Sequence, residues 1–353
     1  MINNISLTGF RNFENKKVSF TTGTTVIVGP NASGKTNILE SIFLLSSGKS
    51  FHAKIEEEMI GYDASLARVE GDTGKTKLEI VLTRGEIMVG DSTIEKTPRK
   101  RLLVNGVARR LIDFTGNVKV VLFGPWDLDL VSQAPAIRRR FLDTVLSQVD
   151  REYRRAILSY EKGLRQRNRL LFRIREEGLS RSQLLFWDRL LIKNGDFVST
   201  VRQNFIDYVN AQEGINAQAF ALDYDKSAIS ETRLEQYAQE EVAAATTLVG
   251  PHRDDFIFKV KEKGEKSRDL ARYGSRGEQR MGVLWLKLAE LSYVEKISGE
   301  KPTLLLDDIF SELDHEHRDV VTKVVEGRQS IITTADPHYV EDFKEVEKIA
   351  LRG

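Results

Sequence analysis

Gly29-Pro-Asn-Ala-Ser-Gly34-Lys35-Thr36 constrains this chain more than any other stretch, because it fits G-x-x-x-x-G-K-[ST] at every fixed position. In that pattern successive backbone N–H groups and the first turn of the following helix converge on phosphate oxygens. The motif works only between a strand and a helix. TTVIVG precedes it, and TNILESIFLLSSG follows with Ile38, Leu39, Ile42, Phe43, Leu44 and Leu45 at helical spacing up to Gly48. We therefore expect Gly29, Pro30, Asn31, Ala32, Ser33, Gly34, Lys35 and Thr36 to hold a nucleotide. Lys35 would reach the β and γ phosphates, and the Thr36 hydroxyl would coordinate Mg²⁺.

A second stretch answers the first from far along the chain. TLLLDD, Thr303 to Asp308, is an apolar strand ending in two carboxylates. Taken alone it reads first as a buried strand with a solvated acidic end. Beside a phosphate loop it becomes a metal-holding strand, with Asp307 on Mg²⁺ and Asp308 orienting or deprotonating the attacking water. Ser275-Arg-Gly-Glu-Gln-Arg280 opens a long amphipathic helix. Its Ser275 and Glu278 have capping-box spacing, and its hydroxyl and N–H groups also suit an anion. The two readings are compatible.

Composition removes several classes. The 353 residues carry 53 Lys and Arg against 52 Asp and Glu, a net charge of +1, so any polyanion contact must come from local clustering. Cysteine is absent, which excludes disulfides and thiolate metal sites and agrees with a cytoplasmic protein. No apolar run approaches the length of a membrane helix, and no signal peptide is expected at the start. Among the five histidines, His315 and His317 would fall on different faces of a helix, which argues against a zinc pair.

Short β-branched and aromatic stretches open the chain, and alternating segments from Leu66 to about Leu111 predict hairpins. VKVVLFGP reads as a buried strand, after which Ile137 to about Glu177 and Gln183 to Val209 are helix-rich. The last hundred or so residues alternate helix and strand, which implies a largely parallel sheet. The expected architecture is α/β, with a head formed by 1–123 plus 248–353 and a helical insertion at 124–247.

GFRNF, GPNASGKTNILESIFLLSSGKSF, VVLFGPWDLDLV, RRRFLD, TLVGPHRDDFIF, SRGEQR and LLLDDIFSELD, in this order over nearly the whole chain, resemble the RecF family of SMC-type ATPases. The resemblance implies an ABC-type P-loop ATPase head with an inserted helical lobe. It implies ATP and Mg²⁺ as cofactors, and an ATP-dependent homodimer in which each copy's phosphate loop meets the other's Ser275, Gly277 and Gln279. Arg11 and Asn12 of GFRNF would approach the nucleotide, and Lys35 and Asp308 would carry a slow, DNA-stimulated hydrolysis used as a switch. The implied task is recombinational repair of single-strand gaps and stalled forks, on double-stranded DNA and single-strand/double-strand junctions, with RecR as partner and RecA loaded as a result.

Three departures from the family pattern stand out. Glu278 replaces a common Gln, Asp308 is shorter than the Glu of many ABC heads, and the Q-loop and switch positions have only Gln133, Thr333, Thr334 and His338 as candidates. Two other classes were weighed. An antiphage ATPase of the overcoming-lysogenisation type would append an acidic nuclease domain, for which no stretch is seen after the last expected strand. An SMC-like DNA tether would need long heptad arms, and the insertion lacks them.

Two basic clusters are candidates for DNA. Arg138 to Arg173 holds ten arginines and Lys162 against four acids. Arg99, Lys100, Arg101, Arg109 and Arg110 lie in the hairpin region, and the resemblance favours this second set. Neither suggests base reading; backbone recognition with steep salt dependence is expected.

Overall fold

The computed structural model describes residues 1–351 apart from 90–92, 216–217, 262–266, 312–314, 341–342 and 344–345. The chain opens with strands β1 (Asn4–Phe10), β2 (Phe13–Ser19) and β3 (Thr24–Val28), then helix α1 (Lys35–Ser47). There follow β4 (Leu66–Asp72), β5 (Lys77–Thr83), β6 (Glu86–Val89), β7 (Thr93–Lys96), β8 (Lys100–Val104), β9 (Val107–Arg109), α2 (Leu111–Phe114) and β10 (Val120–Phe123). Helices α3 (Asp129–Ser132), α4 (Pro135–Val149), α5 (Arg151–Glu177) and α6 (Leu185–Asn210) lead to β11 (Ala219–Asp225), α7 (Glu231–Gln236) and α8 (Ala238–Ala244). Next come β12 (Asp255–Lys261), β13 (Arg268–Asp269), α9 (Leu270–Tyr273) and α10 (Arg276–Ser298). The chain closes with β14 (Thr303–Asp307), α11 (His315–Val325), β15 (Ser330–Thr334) and β16 (Val346–Ala350).

Two compact units result. The first comprises Met1–Pro125 with Val294–Gly353, and the second Trp126–Tyr293. In the first, five strands form a sheet in the order β10-β14-β15-β3-β16, every pair parallel. A second, antiparallel sheet runs β2-β1-β4-β5-β8-β9, which realises the hairpins expected from the alternating segments. Helix α1 touches strands of both sheets, which explains why it is buried nearly all round rather than along one stripe. It stops where expected: Gly48 takes a left-handed φ of 67° and its N–H bonds to the Leu44 carbonyl at 2.8 Å.

The second unit is helical with a small sheet of order β11-β12-β13. The compact units part at 293/294, beyond the expected 247/248, and β12 pairs with β11 over seven residues, Asp255 to Lys261, within the second unit. Its polar core comes from two of the quoted stretches. Asp254, fully buried, accepts from Arg202 at 2.9 Å, from the Tyr224 hydroxyl at 2.5 Å and from the Ser227 N–H at 2.8 Å. Asp255 takes a bidentate pair from Arg138 at 2.6 and 2.9 Å. His252 donates from Nε2 to the Thr247 carbonyl and accepts the Tyr160 hydroxyl at Nδ1, and burial pushes its pKa down to about 4. The TLVGPHRDDFIF and RRRFLD segments thus meet as an internal ionic network in which each buried charge is paired.

Candidate nucleotide site

β3 and β14 flank β15 in one parallel sheet, so the loops leaving their C-terminal ends open on the same edge. That topology closes the gap between the two distant motifs. The Thr36 hydroxyl donates to the Asp307 carboxylate at 2.8 Å, across a sequence separation of 271 residues. Thr333, from the intervening β15, donates to the other Asp307 oxygen at 2.5 Å, and its own oxygen accepts from the Asp308 N–H at 3.2 Å. Asp307 is buried, and that burial raises its pKa against the opposing pull of the Thr333 and Thr36 hydrogen bonds.

The phosphate loop has the backbone its composition requires. Ala32 and Gly34 both adopt positive φ, 66° and 96°. A Cβ on Gly34 would meet the Phe13 ring at 2.5 Å and the Asn12 amide at 2.7 Å, so no side chain fits there. The Lys35 ammonium donates to the Gly29 and Pro30 carbonyls at 2.7 and 3.0 Å and so lies across the loop. The Ser33 hydroxyl is buried in the cradle with no hydrogen-bond partner among the described residues. Asn31, the remaining loop residue, is exposed. Asp308 holds a left-handed φ of 50°, uncommon for a residue with a side chain, directly after the acidic strand.

The GFRNF residues divide. Asn12 borders the loop and its Oδ1 accepts from Asn37 at 2.8 Å. Arg11 is engaged elsewhere: its guanidinium grips both oxygens of the buried Glu40 at 2.7 Å and the Glu58 carbonyl at 2.7 Å. Its implied approach to a nucleotide must therefore use the N–H groups left over. Glu40 on α1 was not singled out from sequence, because a single acid inside an apolar helix carries no sign of its partner. Thr333 was considered only as a switch position; its contact with Asp307 depends on sheet order. Arg11, Asn12, Asn37, His52, Glu57 and Tyr62 line an open polar depression of about 530 Å³ beside the start of α1.

In the second unit, Ser275 and Glu278 make the complete capping box. The Glu278 N–H donates to the Ser275 hydroxyl at 3.2 Å, and the Ser275 N–H to the Glu278 carboxylate at 2.7 Å. The cap uses the hydroxyl as acceptor, and the hydroxyl also stands against the Glu278 carboxylate. The extra charge at Glu278 is answered inside the unit by Arg268, and the Ser275 N–H together with that guanidinium holds the carboxyl below its ordinary pKa. Gly277 is exposed, and a Cβ there would meet nothing closer than the Ser275 oxygen at 3.9 Å. The Gln279 amide donates to the Leu270 and Gly274 carbonyls at 3.1 and 3.4 Å, within its own unit. Of the SELD stretch after β14, residues 312–314 lie outside the described residues.

Residues 1–352 match the model of the RecF/RecN/SMC N-terminal domain. A protein of Herpetosiphon aurantiacus called DNA replication and repair protein RecF is 34% identical, with 97% of this chain and 94% of that one covered. The chain belongs to the RecF family. A RecF of Halalkalibacterium halodurans is 36% identical over 95% of this chain and 92% of its own. Among solved structures, the recombination mediator RecF with ATPrS, of the RecFOR pathway, superposes with a TM-score of 0.85 at 31% identity, covering 99% of this chain and 96% of that one. The Smc head of Pyrococcus furiosus, at 16% identity and a TM-score of 0.52, shares the fold, with 99% and 94% covered. The RecF fold is the ABC-type ATPase head of the SMC group, and in this chain the site described above sits at its phosphate loop.

A Mg²⁺ site fits the residues present. Among the described residues no group of three His, Cys, Asp or Glu could cage a metal alone. One buried carboxylate and one hydroxyl, completed by phosphate oxygens and water, is the donor set that Mg²⁺ accepts in nucleotide sites.

Proposed function

We propose that this RecF-family chain is an ATP-dependent DNA-binding protein whose two copies close over ATP. The observation that carries the reading is the Thr36–Asp307 hydrogen bond, which joins the phosphate loop to the acidic strand end at one point. Gly29 to Thr36 cradle the phosphates, with Lys35 exchanging its loop carbonyls for β and γ oxygens. Thr36 and Asp307 would hold Mg²⁺, which when bound supplies positive charge to those oxygens. Asp308, whose carboxylate has no partner among the described residues, orients the attacking water and accepts its proton. Ser275 turns its hydroxyl proton to the γ-phosphate held by the other copy, and Gly277 lets the two surfaces approach.

ATP then acts as the bond between copies, and hydrolysis releases it. Relatives are called DNA replication and repair proteins, and a solved relative belongs to the RecFOR pathway. That supports a role in recombinational repair of gaps and stalled forks, with RecR as partner and RecA loading as outcome. No described helix is long and apolar enough to cross a membrane, which agrees with a cytoplasmic site of action.

Sedimentation velocity with and without ATP tests the reading. The parent chain should shift from monomer to dimer on adding ATP, and Lys35→Ala should stay monomeric. A dimer of equal strength in both proteins would count against an ATP-bridged pair.

A further inference from the structure

Helix α5 sorts its cations by face. At about 100° per residue, Tyr153, Ala156, Ile157, Tyr160, Arg167 and Leu171 fall on one side, and all are buried. Arg167 on that side is fully paired, to Asp188 at 2.7 Å and Glu241 at 2.7 Å. Arg151, Arg155, Lys162, Arg165, Arg169 and Arg173 fall within a stripe of about 100° on the opposite side, and all six are exposed. Arg173 pairs with Glu177. Arg155, Lys162, Arg165 and Arg169 have neither an ion pair nor a side-chain hydrogen bond among the described residues. Between Arg151 and Arg173 the acids Glu152 and Glu161 fall outside the stripe; Glu176, in the last turn, falls within it and pairs with Arg175.

Such a face is more than a solvated helix surface. A helix that needs only solubility gains about 0.3–0.5 kcal/mol from each acid placed four residues from a base, whereas like charges at that spacing repel. Arg151–Arg155, Arg165–Arg169 and Arg169–Arg173 are all at that repulsive spacing. With a net charge of only +1 on the whole chain, the concentration is local.

We propose that this face of α5 is a docking surface for the phosphate backbone of duplex DNA. The proposal rests on the DNA-binding reading above and gives it a place. Charge complementarity selects a polyanion, and length selects its form. Arg151 and Arg173 are separated by about 33 Å along the helix, close to the pitch of one duplex turn of about 34–36 Å. A membrane-lying helix would set a broad apolar face against its cations, and here the apolar face of α5 is already buried in its own unit. The hairpin cluster is a poorer candidate. Arg99 pairs with Glu57 at 2.5 Å, Lys100 with Glu56 and the Gly48 carbonyl, and Arg110 with Asp113 at 3.7 Å, and among the described residues only Arg101 and Arg109 of this cluster lack a partner.

The test is a salt titration of the full-length protein with ATP and a labelled duplex of about three turns. It compares the parent with Arg155→Gln/Lys162→Gln/Arg165→Gln/Arg169→Gln and with Arg101→Gln/Arg109→Gln. Loss of four phosphate contacts should lower the slope of log K against log salt by about 3–4 and weaken binding at least about tenfold near 0.1 M salt. Melting temperature and ATP binding should be unchanged, since all four side chains are exposed. If the parent binds DNA and the fourfold variant keeps its slope and affinity, the α5 surface is wrong while the DNA-binding reading stands. A parent that binds no duplex at any salt overturns both. Loss of binding to anionic phospholipid vesicles in place of DNA overturns the assignment of the surface to nucleic acid.

Discussion

Asp307 sits under two opposing demands. The site needs an ionised carboxylate, yet burial favours the protonated form and the Thr36 and Thr333 hydroxyls offset this only in part. Because the folded carboxyl binds its proton more tightly than the unfolded one, stability falls as pH rises from the unfolded pKa through the folded one, and the full cost persists above. Asp307→Asn removes that cost. The nucleotide-free variant should melt at a higher temperature than the parent at pH 7, with the difference closing below the ordinary Asp pKa of about 4. An equal or lower melting temperature at pH 7 would show that the carboxylate is better solvated than its burial implies. The same change should cut ATP turnover, since function retains a carboxylate that stability alone would reject. Asp308 and Asp307 were both legible from the sequence as acids closing an apolar strand. Which hydroxyls face them was not, because Thr36 and Thr333 reach them only through sheet order.

Helix α10 shows how one element serves two ends. Its first turn carries Ser275, Gly277 and the capping box, and its body carries a buried pair, Lys287 with Glu290, three residues apart. Burial pushes Glu290 up to about 7 against the pull of Lys287. Removing one partner of a buried pair costs about 3–5 kcal/mol, while replacing both with apolar residues of similar size is often neutral. Lys287→Met should therefore destabilise the protein by about 3 kcal/mol, and Lys287→Met/Glu290→Leu should recover most of it in denaturant melts. A double variant as unstable as the single one would mean that the pair holds α10 in place by something other than mutual neutralisation. The helix itself was plain in the sequence from its apolar spacing and cap. Its membership was not: the strand-like TLVG and DDFIFKVK suggested a return to the head at 248, whereas β12 pairs with β11 and the return comes at Val294. Strand propensity tells that a segment will pair, but not with which edge.

For the whole molecule the proposed pairing of two copies turns on the start of α10. Gly277 is not required by any neighbour in its own chain. Gly277→Leu should fold as well as the parent, or gain up to about 1 kcal/mol from removing a glycine near a helix start. It should nevertheless lose the ATP-dependent dimer in sedimentation, while the monomer still binds a fluorescent ATP analogue. A dimer of undiminished strength would place the contact elsewhere. By itself the sequence determined the phosphate loop, the acidic strand, the serine-led helix start and the alternation that demands a parallel sheet, because each is a local pattern of residue type and spacing. Only the tertiary structure decided that Thr36 meets Asp307, that Arg11 and Gln279 turn to internal partners, and that α5 separates a paired buried arginine from an exposed cationic stripe. Those outcomes depend on which strand lies beside which and which helix face is covered, and such long-range choices are made by packing the whole chain rather than by any window of it.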